Sequence, residues 1–464
     1  MSEIKEKQWR RWVSRAFIVA GMAFGDEGKG TTVEYLCHRH NPTVVIRYNG
    51  GPQAAHNVIA PDGTHHSFSQ FGSGTLAGVR THLSRFMLIE PRALLREAEV
   101  LRSKGVDGLL MLSIDPECVI ITPFHWLANE IREIYRGAKP HGSTGRGVGE
   151  ARQDQLGGLA LRVKDLYKRS DTLNKIYAIR DAKADQIGAI ITAMGDELPR
   201  PNFVDVWHLY DRLCSINVDS LVNQYQDFLK LVDVIRTYNL VDGGDVIVFE
   251  GAQGVLLDEY VGFAPHNTWT NTTFKNAEVL CRECQISEVT KIGVVRSYFT
   301  RHGAGPFPTE AQARVSDHEM HNGPVKYVGP FRVGRFDNVL FRYAARHSRP
   351  DVVMVTHMDR TMFADVADSY TVASDDILSD SLVGTEEMTT GLLRAIPVYT
   401  VVQSVPRLIE ATTGIPVIYE SYGPSASDKW EKYISAGPSK KDLTPNEYCV
   451  TVPTSVRICT PTGI

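Results

Sequence analysis

Short, unbroken apolar runs recur along this chain, separated by stretches with helical periodicity, and that alternation limits the folds open to it. The runs AFIVAG (16–21), TVVIRY (43–48), DVIVFEG (245–251), KIGVV (291–295) and DVVMVTHMD (351–359) show no apolar–polar alternation. Strands buried on both faces read this way, and helices between them supply the cover. RFMLIE (85–90), GLLMLSI (108–114) and CVIITPF (118–124) are read as further strands. PRALLREAEVLRSKG (91–105) opens on proline and closes on glycine, the asymmetry of a helix. The fold class predicted is α/β, a large, mostly parallel central sheet flanked by helices.

The expected organisation is an N-terminal extension over 1–14, a single catalytic domain over 15–430 and a polar, turn-rich tail over 431–464. Within the domain, about 166–245 reads as a helical subdomain, and GPFPTE and AIPVYTVV as connections and short peripheral strands. Of the 464 residues 43% are hydrophobic, ample for a large core, and 50 basic against 54 acidic residues leave a net charge of −4. With no long basic run, nucleic acid and membrane surfaces are not expected partners. Lys5, Lys7, Arg10, Arg11 and Arg15 before AFIVAGMAF imitate a signal peptide, but the glycine loop and helix pattern that follow favour a buried strand. No apolar stretch is long enough to span a bilayer, and seven cysteines in so long a chain do not make a disulfide framework. A cytoplasmic protein is expected.

The strand at Phe17 empties into GMAFGDEGKGT (21–31), which departs from a Walker loop in spacing. Gly21 and Gly28 lie too far apart by two residues, and Gly30 follows Lys29 where a hydroxyl would hold magnesium. Asp26 is the candidate replacement, since hard divalent ions select carboxylate oxygen. A solvated turn is the bland alternative, and the position directly after a buried strand weighs against it. RYNGGPQAAHNV offers Gln53, His56 and Asn57 beside two glycines, and His56 becomes a candidate acid partner for Asp26. HGSTGRGVGEAR, with Ser143 and Thr144, is either an anion nest or a plain surface turn. FEGAQGVLLDE brackets Gln253 with glycines, and VTHMD ends a strand on Asp359, an acceptor suited to the N1 and N2 donors of guanine.

Taken in order, GDEGKG, R-Y-x-G-G…H, S-T-G-R-G-x-G, FEGAQGVLLD followed by NTT, TRHGAGPFPTE and GPS resemble the adenylosuccinate synthetase family from about Ala16 to Pro424. The resemblance implies a GTP- and magnesium-dependent ligase that phosphorylates the 6-oxygen of inosine monophosphate and displaces the phosphate with the amino group of aspartate. It implies Asp26 as base and His56 as acid, and magnesium held at Asp26 and Ala55. GTP contacts would fall at Gly25, Glu27, Gly28, Lys29, Gly30, Asp359 and Gly423. The purine monophosphate would meet Gln53, Thr144, Gln253 and Thr268. A homodimer is implied as well.

Several positions depart from the family pattern. Gln53 stands for an asparagine, Ala55 for a glycine and His357 for the lysine of the guanine motif. The arginine that crosses the family's dimer interface falls near Gly158, with Arg152 a displaced substitute. In KYVGPFRVGRFD two carboxylate-binding arginines fall at Gly329 and Phe331, leaving Arg332 and, shifted, Arg335 as amino-acid ligands. The alternatives are therefore a paralogue that ligates a different amine or nucleotide and, from another class, a nucleotide-binding regulator without turnover. Among the rest, Arg301 is a candidate site residue and His302 is expected to face solvent. Tyr327, Phe331 and Phe336 are read as packing residues, and Cys281 and Cys284 as a helix face or core. His38, His40, His65 and His66 are read as solvated loop residues.

Overall fold

The computed structural model describes residues 14–137, 142–194, 200–311, 328–360, 363–371 and 375–432. At its centre ten strands form one sheet in the order 429–431, 417–421, 352–356, 288–296, 15–21, 246–254, 44–47, 80–83, 112–114 and 233–234. Every pairing is parallel except that of the edge strand Lys429–Glu431, which runs antiparallel to Val417–Ser421. The continuous apolar runs occupy the middle of this sheet. Ala16, Ile18, Val19, Val45, Ile46, Ile247, Phe249, Ile292, Val294, Val353 and Val355 are all fully buried, so both faces are covered, as such runs require.

The strand assignment needs correction in three places. RFMLIE does not join the central sheet; only Leu88–Ile89 is extended, paired with Val119–Ile120 in a separate two-stranded piece. The neighbour of Val44–Arg47 is instead Arg80–Leu83, whose polar RTHL hides its strand character. His82 is buried there between Ser113 Oγ (3.0 Å) and Thr237 Oγ1 (2.9 Å), so hydrogen bonds do the work that apolar contact does elsewhere. CVIITPF becomes a helix at Pro123, with Thr122 as its cap.

The stretch near 166–245 holds the helices Arg169–Met194, Arg200–Ser215 and Val218–Leu229. A buried ion cluster ties the first of these to the helix Val148–Leu156: Lys183 Nζ meets Glu150 Oε2 at 3.0 Å and Asp154 Oδ1 at 2.7 Å. The histidines read as loop residues are also placed differently. His38 and His40 lie in the last turn of the helix Lys29–His40, His40 stacked on Phe17, and His66 is buried in a strand against Phe68. Cys281 is buried on the helix Lys275–Glu283 with Cys284 at its C-cap, and the described cysteines are all free. Phe336 is buried core, while Tyr327 and nearly all of the terminal segments 1–14 and 431–464 lie outside the described residues. No described helix is long and apolar enough to cross a membrane.

Candidate active site

The GDEGKG loop leaves the strand Arg15–Gly21 and ends at Gly28, whose φ of 89° caps the helix Lys29–His40. Its extra length is held by buried polar contacts. Glu27 turns inward, where Oε1 accepts from the N–H groups of Ala23 (3.1 Å) and Gly25 (2.8 Å) and Oε2 takes Lys29 Nζ at 2.6 Å. The Glu27 carbonyl accepts from Thr356 Oγ1 (2.7 Å), and the Asp26 carbonyl from Arg296 Nε (2.5 Å). Between these pins Asp26 adopts φ 61°, a left-handed conformation that Asp tolerates better than most residues. Its carboxylate thereby reaches the cavity. Gly30 has a separate reason: a Cβ there would stand 2.8 Å from His56 Cβ, so no hydroxyl-bearing residue fits.

Asp26 and His56 both line the cavity, but they do not form a pair with each other. Asp26 Oδ2 lies 3.1 Å from His302 Nε2. Burial pushes the Asp26 carboxyl up, and the hydrogen bond and charge of His302, with Arg296 and Lys29, more than offset it and hold its pKa below the ordinary value. His302, expected to face solvent, is instead the partner of the candidate base, and its ring packs at a tilt of 54° against Phe331 with centroids 4.8 Å apart. His56 Nδ1 meets Glu250 Oε1 at 2.5 Å, and the same carboxylate accepts from Ser73 N (2.8 Å) and Ser73 Oγ (2.5 Å). Burial drives the His56 pKa down, and Glu250 resists that shift without reversing it.

The cavity holds about 820 Å³ and brings most of the sequence-derived candidates to one surface, a volume suited to small-molecule ligands. Gly25, Gly28, Lys29, Gly30, Gln53, Ala55, Thr144, Gln253, Thr268, Asp359 and Gly423 line it with Asp26 and His56. Gln53 and Gln253 share a wall: a Cβ on Gly50 would lie 3.6 Å from Gln253 Oε1 and 3.7 Å from Gln53 Nε2. Both amide atoms of Gln53 and Oε1 of Gln253 are buried without a partner among the described residues. A buried polar atom left unpaired costs about 1–3 kcal/mol, so these amides point to a polar ligand. Thr144 precedes the helix Val148–Leu156, which is entered through Gly145 (φ 71°) and Gly147 (φ 73°), and the Gly147 N–H donates to Asn129 Oδ1 at 3.2 Å.

The adenylosuccinate synthetase family profile matches residues 18–404. The chain belongs to the adenylosuccinate synthetase family. It is 31% identical to adenylosuccinate synthetase of Mycobacterium tuberculosis, across 74% of this chain and 77% of that one. The Saccharopolyspora erythraea synthetase is 29% identical across 83% of this chain and 86% of its own. Among solved structures, fully ligated adenylosuccinate synthetase from Plasmodium falciparum aligns with a TM-score of 0.72 at 19% identity, covering 90% of this chain and 99% of that one. A cyanophage S-2L succinoaminodeoxyadenylate synthetase, bound to dGMP and dATP as an energy donor, aligns at 0.53 with 17% identity, covering 90% and 95%. The family is one of ligases of purine biosynthesis, and the sheet described above is its fold.

Within this adenylosuccinate synthetase framework three expected site residues lie elsewhere. Glu27 does not line the cavity; its carboxylate is consumed beneath the loop, holding Lys29. Arg332 is bound bidentately to Glu310 (2.9 and 2.5 Å) and donates to the carbonyls of Gly303 and Gly305. Arg335 is held by Asp365 at 2.8 Å between the rings of Phe363 and Tyr399. Neither arginine lines the cavity. Arg301 does, yet its buried guanidinium serves the carbonyls of Ala304, Pro306 and His266, and burial, then Arg332, lower its pKa to about 9. Arg152 reaches Glu259 (3.3 Å) and the Trp269 carbonyl (3.2 Å), and neither it nor Gly158 touches the cavity.

Sequence reasoning passed over Glu250, Arg132 and Arg136, and placed His302 in solvent. Glu250 stood in plain view within FEGAQG, a charged residue at the centre of an apolar strand, and that was its signal. Arg132 and Arg136 lie on one helical face four residues apart and line the Thr144 side of the cavity, paired with Glu150 (2.8 Å) and Glu133 (2.5 Å). For magnesium the donor set fits a substrate-completed site. Asp26 Oδ1 has no protein partner among the described residues, and Ala55 lines the same cavity. No described cluster of three or more His, Cys, Asp or Glu would cage a metal by itself, and magnesium characteristically takes one or two carboxylates plus phosphate oxygens.

Proposed function

We propose that this protein activates the 6-oxygen of a purine nucleoside monophosphate of the inosine type with a purine nucleoside triphosphate, and then exchanges the phosphate for an amine. In the first step the γ-phosphoryl group passes to O6 while Asp26 accepts the N1 proton, and the nucleoside diphosphate leaves. In the second the amine attacks C6, loses a proton and expels inorganic phosphate. The oxo group is a poor leaving group and phosphate a good one, so the order follows from the chemistry.

Lys29 and the N–H groups around Gly28 and Gly30 would hold the triphosphate, with the Glu27 carboxylate fixing the ammonium in place. Magnesium, when bound, would be held by Asp26 and Ala55 and supply charge neutralisation at the phosphoryl oxygens. The unpaired amide of Gln53 and Oε1 of Gln253 would orient the purine, and Thr144 and Thr268 its 5′-phosphate. Resting His56 donates Nδ1–H to Glu250. Anionic phosphates favour its imidazolium, so His56 takes up a proton as they enter and presents Nε2–H to the transferring group. GTP is the donor that the resemblance implies, and the dATP of the cyanophage neighbour indicates that the fold accommodates adenine. A homodimer rests on family membership.

The observation that carries this reading is the convergence on one cavity of Asp26 with His302, His56 with Glu250, the buried, unpaired amide of Gln53 and the buried, unpaired Oε1 of Gln253. Aspartate is the amine of the family. A second reading, a different amine, is favoured by the consumption of Arg332 and Arg335 in protein ion pairs. Purified protein supplied with magnesium, IMP and either GTP or ATP should release phosphate when given aspartate, with the product mass of adenylosuccinate. Phosphate release only with another amine from a panel would replace aspartate, and binding without any turnover would favour a regulator.

A further inference from the structure

Behind the Gly423–Ser425 loop lies a lysine that none of the proposed steps uses. Lys429 opens the edge strand Lys429–Glu431, opposite Ser421 in the register. A lysine on an edge strand ordinarily carries its ammonium out to water. This one turns inward: its side chain is 8% exposed, and no carboxylate forms an ion pair with it among the described residues. Nζ donates instead to the carbonyls of Gly423 (2.8 Å) and Ser425 (2.9 Å). Burial lowers its pKa to about 8, against the more distant carboxylates of Asp428, Glu34 and Asp359. Buried lysines without a paired counter-charge are rare because they are costly.

The loop it holds gives the reason. Gly423 and Pro424 line the cavity with Ser421 and Asp359, whereas Lys429 does not reach it. All three carbonyls of the loop are bonded to the protein. That of Gly423 also accepts from Ser421 Oγ (3.0 Å), that of Pro424 from Thr31 Oγ1 (2.7 Å) and that of Ser425 from Asp428 N (3.1 Å). The Ser425 N–H goes to Asp428 Oδ2 (2.8 Å), and proline has none. The Gly423 N–H has no partner among the described residues, so it is the one backbone polar group this loop leaves for a ligand. Ser421 and Asp428 make only local bonds. Lys429 joins the first carbonyl of the loop to the third, and Thr31 ties the middle one to the first turn of the helix that carries Lys29.

We propose that Lys429 is a positioning residue for the phosphoryl donor: its ammonium draws the loop's carbonyls inward and so holds the Gly423 N–H on the cavity side for an acceptor atom of the donor's nucleoside. The proposal rests on reading the Asp359–Gly423 end of the cavity as the donor's side. A loop already held in its binding shape need not be ordered when the ligand arrives, and a loop competent only part of the time lowers affinity in proportion. Lys429 acts through backbone, so it serves GTP and ATP alike and the monophosphate not at all.

The test is titration calorimetry of the intact protein with magnesium, against the non-hydrolysable imido analogues of GTP and ATP and, separately, against IMP. Lys429→Met removes the ammonium with little change in bulk. It should weaken whichever triphosphate analogue binds by about tenfold and change IMP affinity by less than about twofold. Lys429→Gln keeps N–H donors on a shorter stem and should lose about threefold. It carries the test if thermal unfolding shows that the methionine variant does not fold. Unchanged triphosphate affinity in the folded variants, or an equal loss for triphosphate and IMP, overturns the positioning role alone. Binding of neither triphosphate analogue by the unmodified protein overturns the reading of the donor's side together with it.

Discussion

His56 Nδ1 lies 2.5 Å from Oε1 of Glu250, a fully buried carboxylate whose other contacts are the N–H and hydroxyl of Ser73. The carboxylate accepts only, so it fixes the imidazole as the Nδ1–H tautomer and turns Nε2 toward the cavity. Glu250→Gln should lower kcat by about 100-fold, with nucleotide affinity changed by no more than about threefold. Because Glu250 supports the His56 pKa against burial, the limb of the pH profile that reports protonated His56 should also move to lower pH. Unaltered steady-state kinetics across pH would remove Glu250 from this role.

Asp26 works as a base only while ionised, and His302 is the foremost of the groups that keep it so. His302→Gln should raise the Asp26 pKa, moving the acid limb of kcat toward neutral pH. Asp26→Asn should abolish turnover with purine nucleotide binding kept within about threefold. A His302→Gln profile that superimposes on the unmodified one would refute the coupling.

Glu27 and Lys29 form an ion pair with both side chains almost wholly buried, 2.6 Å apart. Removal of one partner from such a pair leaves an uncompensated charge, at a cost of about 3–5 kcal/mol. Glu27→Ala should lose stability on that scale in urea unfolding and also weaken triphosphate binding, since the backbone of Ala23 and Gly25 loses its acceptor. A loss below about 1 kcal/mol would show that water repairs the loop.

Arg332 is bonded to Glu310 and to the carbonyls of Gly303 and Gly305, and so braces the turn that follows His302. Arg332→Ala should therefore lower kcat and stability together without a selective rise in KM for the amine. A KM for aspartate that rises tenfold at constant kcat would instead make Arg332 a substrate ligand.

His82 is buried and neutral, its pKa lowered by burial and then by Arg80 to about 3. An imidazole whose folded pKa lies below its unfolded value near 6.5 stabilises the protein above that value, and the contribution is lost as pH falls toward 3. From pH 7 to pH 5 this group alone should cost ~2 kcal/mol of unfolding free energy. Urea unfolding of His82→Asn should show a shallower pH dependence over that window, and an identical slope would refute the assignment.

The central strands were legible because a doubly covered strand needs no polar face, and Phe17–Val19, Val44–Ile46 and Val352–Val355 carry none. Arg80–Leu83 was not, because its polar side chains are satisfied by Ser113, Thr237 and backbone partners remote in sequence. The same division runs through the site. The identity of Asp26, Lys29, His56 and Gln253 as candidates came from local glycine chemistry after buried strands, and the structure places all four on one cavity.

Sequence by itself determined the parallel α/β architecture, the family and the glycine loops, since burial and backbone conformation are written in neighbouring residues. Only the tertiary structure decided the partnerships: Asp26 with His302, His56 with Glu250 and Arg332 with Glu310. Each is a short-range electrostatic contact that joins residues from separate segments of the chain. A charged or polar side chain shows its type in the sequence, but which counter-charge or acceptor it meets depends on how the strands are ordered in the sheet.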